Sequence, residues 1–245
     1  MQSQLDHLDQ LKAQLDTVRH RDNDRIRQAL ELEYTYESNR IEGNTLTLRE
    51  TDLVLNEGLT IGGKPLKDHL EAINHRDALD YMKDIVQQRV NLSERVLLDL
   101  HSLILRGIDR ENAGRYRQVP VLIRGSRFVP PQPYLVARQM EDLFHWYENE
   151  TKSLHPVVLA AELHERLVTI HPFIDGNGRT ARLIMNLILL RHGFPLAILK
   201  GDADARITYY NALETAQTSG DKSDFIRLVA DTVQAALERL LSLLR

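Results

Sequence analysis

The stretch IHPFIDGNGRTARLIMN, residues 170–186, decides how this chain reads. His171 is followed by Pro172, which disfavours right-handed helical geometry at the histidine, so a helix ends there. Ile174 to Gly178 form a loop in which Gly176 and Gly178 are free to take positive φ. From Ala181 to Leu190 the sequence is apolar nearly all round, which predicts a central, buried helix opening near Asn177 or Gly178. Such a loop at a helix start gathers backbone N–H groups into an anion site, reinforced by the helix dipole. Arg179 and Arg182 are three residues apart, share a helix face and suit bidentate phosphate contacts. Asp175 offers a hard oxygen of the kind Mg2+ takes when it is shared with phosphates. His171 titrates near neutrality and can act as a base. Together these parts suit group transfer from a nucleotide to a hydroxyl.

Outward from this stretch, helical periodicity dominates. Leu5, Leu8, Leu11 and Leu15 mark a helix over 2–18. A second helix is expected from Asn23 to about Glu42, stopped by Gly43. Further helices are expected over 47–57 and 65–88, and one opening at an Asn91/Glu94 capping box and running to about Leu105. Helices resume at 134–149, 156–170, 178–192, 204–217 and 223–244, with Asp204 and Ser223 as N-caps. Between them, GRYRQVPVLIRGSRFVPPQP (114–133) is rich in Val, Pro, Arg and Gly. Val119, Val121 and Ile123 alternate, RGS offers a turn, and Phe128-Val129 return, so a short β-hairpin closed by Pro130-Pro131 is expected. The fold class is all-α with one short β-hairpin. Residues 1–60 form an N-terminal helical region, and 61–245 form the core.

Composition narrows the function classes. The chain has 245 residues, 42% hydrophobic and 27% charged, as in globular proteins. A formal net charge of −4, with basic residues spread along the chain, argues against a nucleic-acid partner. The absence of cysteine excludes disulfides, Cys-based zinc sites and thiol nucleophiles. The polar N-terminus lacks the apolar core of a signal peptide, and no apolar run is long enough to span a bilayer. A cytoplasmic location without membrane attachment is expected.

The order His-Pro-Phe-Ile-Asp-Gly-Asn-Gly-Arg-Thr-Ala-Arg over 171–182 resembles the signature of the Fic family, HPFxDGNGRxxR, at all nine specified positions. GRYR at 114–117 followed by the hairpin looks like that family's flap, and ITYYNAL at 207–213 like its nucleoside-side segment. The resemblance spans roughly residues 65–230 and implies a Fic-type helical bundle with a hairpin flap. It also implies a protein adenylyltransferase, moving AMP from ATP to a Ser, Thr or Tyr hydroxyl of a target protein. His171 would be the base and Asp175 would hold Mg2+. Gly176, Asn177, Gly178 and Arg179 would hold the α- and β-phosphates, and Arg182 would face the γ-phosphate. Tyr209 and Tyr210 would line the nucleoside pocket. Gly178 favours adenylylation, since the Doc-like kinases of the family carry a different loop here. The edge Val119–Ile123 would pair with an extended target segment by strand addition.

SNRIEGN, 38–44, resembles the family's inhibitory motif, [S/T]xxxE[G/N], with Ser38, Glu42 and Gly43 in place. The longer IEGNTLTL string is similar to animal-type Fic AMPylases and their bacterial relatives. Ser38 and Glu42 are four apart and share a helix face. The resemblance implies that Glu42 pairs with Arg182 and blocks productive ATP binding. It further implies that Glu42 can activate water for removal of AMP, and that the protein forms a homodimer.

Plainer readings stand beside these. GNGRTA fits a dinucleotide fingerprint, but it follows a helix where that fingerprint needs a strand. His164-Glu165 begins a zinc-protease pattern that Val168 breaks, which leaves His164 as a packed residue or a support on its helix. Tyr209 and Tyr210 divide between binding and core packing. Two rival functions remain: the same fold with another donor, in UMP or phosphocholine transfer, and a non-catalytic nucleotide-binding or toxin-partner module.

Overall fold

The computed structural model describes residues 1–244. Ten α-helices follow one another: α1 (Gln2–Val18), α2 (Asp24–Ile41), α3 (Leu48–Asn56), α4 (Leu66–Gln87), α5 (Glu94–Ile104), α6 (Pro133–Glu150), α7 (Pro156–Ile170), α8 (Asn177–Arg191), α9 (Ala203–Ser219) and α10 (Ser223–Leu244). The centre is α8. Its residues from Arg179 to Leu189 are all buried, because α7 flanks it on one side and α4 and α5 on others. All-round burial explains why its sequence shows no polar stripe.

The leucine stripe of α1 packs against α10. Leu5, Leu8, Leu11 and Leu15 join the same apolar cluster as Val233, Leu237 and Leu241. Each such leucine contributes roughly 1.5–3 kcal/mol by leaving water. A smaller cluster, Leu46, Val54, Leu55 and Ala72, seats α3 on α4. Among the described residues, no helix is long and apolar enough to cross a membrane.

Local chemistry sets the helix ends. The Asn23 side chain accepts from the Ile26 N–H and opens α2. Thr47 and Glu50 form a reciprocal capping box at α3. The box expected at Asn91/Glu94 does not form; Ser93 is the N-cap, accepting from Val96 N. A hydroxyl directly before Glu94 reaches the third helical N–H, which Asn91 is too early to do. Likewise Asp202, and not Asp204, caps α9. Ser223 lies inside α10, and its N–H is bonded to the Asp221 carboxylate.

The expected β-hairpin is absent. No strand forms over residues 114–132, and Val119, Val121 and Ile123 lie in irregular backbone. One turn bond survives at the tip, Ser126 N–H to Ile123 O at 3.2 Å. Pro120, Pro130 and Pro131 remove three ladder donors. A buried side chain takes over where a ladder would have been: Arg117 donates to Val119 O and Pro131 O, drawing the two arms together. The segment is a loop strapped by an arginine, and Arg127 ties its far end to Glu214 of α9.

Candidate active site

The site is the junction of α7 and α8. His171 ends α7 in left-handed geometry, φ 50° and ψ 58°. Pro172 excludes the right-handed region there, as expected, but the left-handed form is unusual for a residue with a Cβ. The strained backbone is held from outside by Arg117, whose Nε donates to His171 O at 2.8 Å and whose N–H donates to Pro172 O. The His171 Nδ1–H points to Val168 O at 3.3 Å, which leaves the Nε2 lone pair free. Burial pushes the imidazole's pKa below its usual 6.5, so it is neutral at pH 7.

The loop between the helices is closed internally. Asn177 Oδ1 accepts from Phe173 N and its Nδ2 donates to Phe173 O, at 3.0 and 2.9 Å. The Asn177 side chain therefore shapes the loop, using one of its two amide N–H donors and one of its two oxygen lone pairs. Gly176 takes φ 81° as the N-cap of α8, and a Cβ there would press on Ile104 and His101. His101 of α5 donates from Nε2 to Asp175 O and accepts on Nδ1 from Gly114 N, while its ring stacks on Phe173 at 3.5 Å. Burial lowers its pKa to about 4, which keeps it in the neutral form that can do both.

Asp175 points outward, with its side chain 45% exposed. Its Oδ1 accepts from Gly176 N and Arg179 Nη2, and its Oδ2 lies 3.6 Å from Lys67 Nζ. Burial alone would raise its pKa; Arg179, the Gly176 N–H and Lys67 outweigh that and hold it below the usual value. Among the described residues no three His, Asp or Glu side chains cluster as a metal cage. A lone carboxylate fits a cation that arrives with phosphates and keeps its waters. Arg179 is buried between Asp175 and Glu71 of α4, 3.0 Å from the latter.

Arg182 lies one turn further along α8 and is also buried. Its Nη2 donates to Glu42 Oε1 at 2.7 Å and to Ser38 O, and its Nε to Ser38 Oγ. The two motifs 140 residues apart thus meet. Burial disfavours its charge, but Glu42 and the neighbouring tyrosines more than restore it, so Arg182 stays ionised. Gly178 makes the meeting possible: a Cβ there would collide with Glu42 Oε1 and lie 3.0 Å from Arg182 Nη1. His171, Gly178, Glu42, Tyr209 and Tyr210 line one cleft of about 720 Å³, with Ile123 at its rim. The tyrosines divide the two readings between them. Tyr209 is buried and faces Arg182, whereas Tyr210 is 44% exposed and its hydroxyl donates to Ile41 O. Val119 and Val121 do not line this cleft.

Three contributors had no clear signal in the sequence. His101 sits on the apolar face of an ordinary amphipathic helix, and Glu71 and Lys67 look like surface charges of α4. Arg117 was visible only as part of GRYR.

Comparison with known proteins agrees with this geometry. The Fic/DOC family model matches residues 91–189. The chain is 38% identical over 207 residues to protein adenylyltransferase Fic of Drosophila grimshawi, covering 84% of this chain and 42% of the relative. It therefore spans less than half the length of that relative. Among solved structures, Fic-1 (residues 134–508) of Caenorhabditis elegans superposes with a TM-score of 0.86 at 32% identity, covering 99% of this chain and 72% of the other. A Fic domain-containing signaling protein of Bacteroides thetaiotaomicron gives 0.84 at 32% identity, with 97% and 94% covered. With the signature loop formed between two buried helices and relatives of this similarity along nearly its whole length, the chain belongs to the Fic family.

Proposed function

We propose that this chain is a protein adenylyltransferase that moves AMP from ATP to a hydroxyl of a target protein and is restrained by its own α2. The observation that carries the reading is the neutral, free Nε2 of His171 in the same cleft as the N-terminus of α8 and the Glu42–Arg182 pair. His171 takes the proton of the target hydroxyl. The oxygen attacks the α-phosphorus, an O–P bond forms, the bond to the β-phosphate oxygen breaks, and pyrophosphate leaves. Backbone N–H groups of Asn177 and Gly178 would meet the phosphates, with Gly176, whose N–H is held by Asp175, making the turn that aims them, Arg179 beside them and Arg182 at the terminal phosphate. Asp175 would hold Mg2+, which offsets phosphate charge when bound. Tyr210 closes the nucleoside side. The target segment would lie along the loop over Val119, Val121 and Ile123, of which Ile123 lines the cleft.

In the state described, Glu42 takes the Arg182 donor that the terminal phosphate needs, and Ser38 holds the pair in register. We assign residues 1–60 to this regulation and 61–245 to the catalytic core. Glu42 can also activate water for de-AMPylation, and a homodimer in the cytoplasm is compatible with the family.

Intact-mass spectrometry tests this on wild type, Glu42→Gly and Glu42→Gly/His171→Ala with ATP and Mg2+, and with UTP in place of ATP. A cell lysate with labelled ATP supplies other targets. Adenylyl incorporation should rise by roughly tenfold or more in Glu42→Gly, the worth of one charge-assisted contact, and vanish without His171. Equal incorporation in wild type and Glu42→Gly would remove the brake, and incorporation without His171 would remove the base.

A further inference from the structure

His164 lies on α7 two turns before His171 and is fully buried. Its Nε2 is 3.1 Å from the Tyr209 hydroxyl, and that hydroxyl is 3.4 Å from Nη1 of Arg182. Chemistry orders the protons along this row. A guanidinium has only N–H donors, so the tyrosine oxygen must accept from Arg182. The hydroxyl hydrogen then goes to His164, whose Nε2 must be the unprotonated nitrogen. The ring proton of His164 therefore sits on Nδ1, which has no hydrogen-bond partner among the described residues. A buried, unpaired donor costs stability, so this row is kept at a cost to the fold. Burial, and then the Arg182 charge, hold His164 well below its usual pKa and so neutral, the only form that can accept.

The contacts around Arg182 come from two sides. Ser38 and Glu42 hold it from α2. Tyr209 and His164 hold it from α9 and α7, which carry no part of the brake. Removing Glu42 leaves the second side untouched.

We propose that His164 is a positioning residue for the nucleotide: by drawing the Tyr209 hydrogen to itself, it turns the hydroxyl's lone pair onto Arg182 and steadies that guanidinium for the terminal phosphate. Tyr209 then acts through Arg182, as well as forming a wall of the cleft. The row sets preference for a nucleoside triphosphate over a diphosphate. This rests on the reading of Arg182 as the terminal-phosphate contact.

The test is calorimetric affinity for ATP and ADP with Mg2+, in Glu42→Gly/His171→Ala protein so that no turnover occurs. This background should prefer ATP by roughly tenfold. Adding Tyr209→Phe or His164→Leu should weaken ATP on the order of fivefold and leave ADP nearly unchanged. Both together should cost no more than either alone, because they break one row. His164→Gln, whose amide oxygen can accept, should restore most of the preference. A merely structural role would weaken both nucleotides alike, and that result, or an unchanged ATP-to-ADP ratio in Tyr209→Phe, overturns the proposal. If His164→Leu fails to fold, Tyr209→Phe carries the test, since it keeps the ring. A background that binds ATP and ADP equally would instead overturn the Arg182 reading, and this proposal with it.

Discussion

Gly178 shows how one missing atom is used. Its backbone is helical, where alanine would normally be better than glycine by about 1 kcal/mol. The Cβ is excluded here by the Glu42 carboxylate and Arg182. Gly178→Ala should therefore lower stability more in the wild type, where it pushes Glu42 off Arg182, than in Glu42→Gly, where only the Arg182 side chain has to give. Denaturant melts of the four proteins check this; an equal loss in both backgrounds would mean that Glu42 does not occupy the space. His171 makes a second case. Burial depresses its pKa, so the neutral base persists below pH 6.5 and is lost only as pH falls through the lower folded value. The acid limb of the Glu42→Gly rate profile should thus lie below pH 6.5. An acid limb at or above 6.5 would show that another group, or a differently placed imidazole, controls the reaction.

At the scale of elements, polar side chains set the C-terminal half of α2 and the 114–132 loop in place. The C-terminal half of α2 buries Thr35, Glu37, Ser38 and Asn39 beside the apolar Tyr34 and Ile41. Glu37 accepts from Gly201 N, and Asn39 donates to Glu71 O, the same Glu71 that pairs with Arg179. These contacts fix the register of this half of α2, which Tyr34 and Ile41 anchor in the core. The loop depends on Arg117 in the same way. Arg117→Ala leaves the carbonyls of His171, Val119 and Pro131 without their donor. Hydrogen exchange over residues 118–132 should accelerate by roughly tenfold or more, and activity of Glu42→Gly should fall with it. Unchanged protection over this loop would mean that some other contact closes it. The hairpin expected from the Val119, Val121, Ile123 alternation failed for a related reason: alternation marks which way side chains point, but a ladder also needs free N–H donors on both arms, and three prolines remove them.

Across the whole molecule, neutral histidines are built into the core. His75, His101 and His164 are all buried, and burial lowers His75 to about 3 and His101 to about 4. In the unfolded chain each titrates near 6.5. Below that value the unfolded state binds more protons than the folded one, so their contribution is complete above pH 6.5 and lost as pH falls toward the folded values. Stability should drop by about 1.4 kcal/mol per pH unit for each such histidine between pH 6 and 4.5, before most carboxylates titrate. Denaturant unfolding at pH 7.5, 6.0 and 5.0 checks this, and a flat profile would mean that these imidazoles are charged or exposed. A His75→Phe variant should flatten the profile by one such share.

What the amino-acid order determined by itself is local or repeats at close range. The ten helices follow from 3.6-residue periodicity, and the loop between α7 and α8 follows from glycines, a proline and arginines within twelve residues. The pairing of Ser38, Glu42 and Arg182 could be inferred only because two motifs resembled known ones; nothing in their spacing encodes a contact across 140 residues. The tertiary structure alone decided which groups surround those motifs. It set His101 under the loop, Arg117 behind the left-handed His171, Glu71 between Arg179 and Asn39, and His164 behind Tyr209. Each of these is a polar side chain whose local sequence reads as ordinary, three on helices and Arg117 in the 114–132 loop, and its partner comes from another part of the chain. Periodicity reports which face of a helix is buried, but the partner of a buried polar group is fixed only when helices from distant parts of the chain pack together.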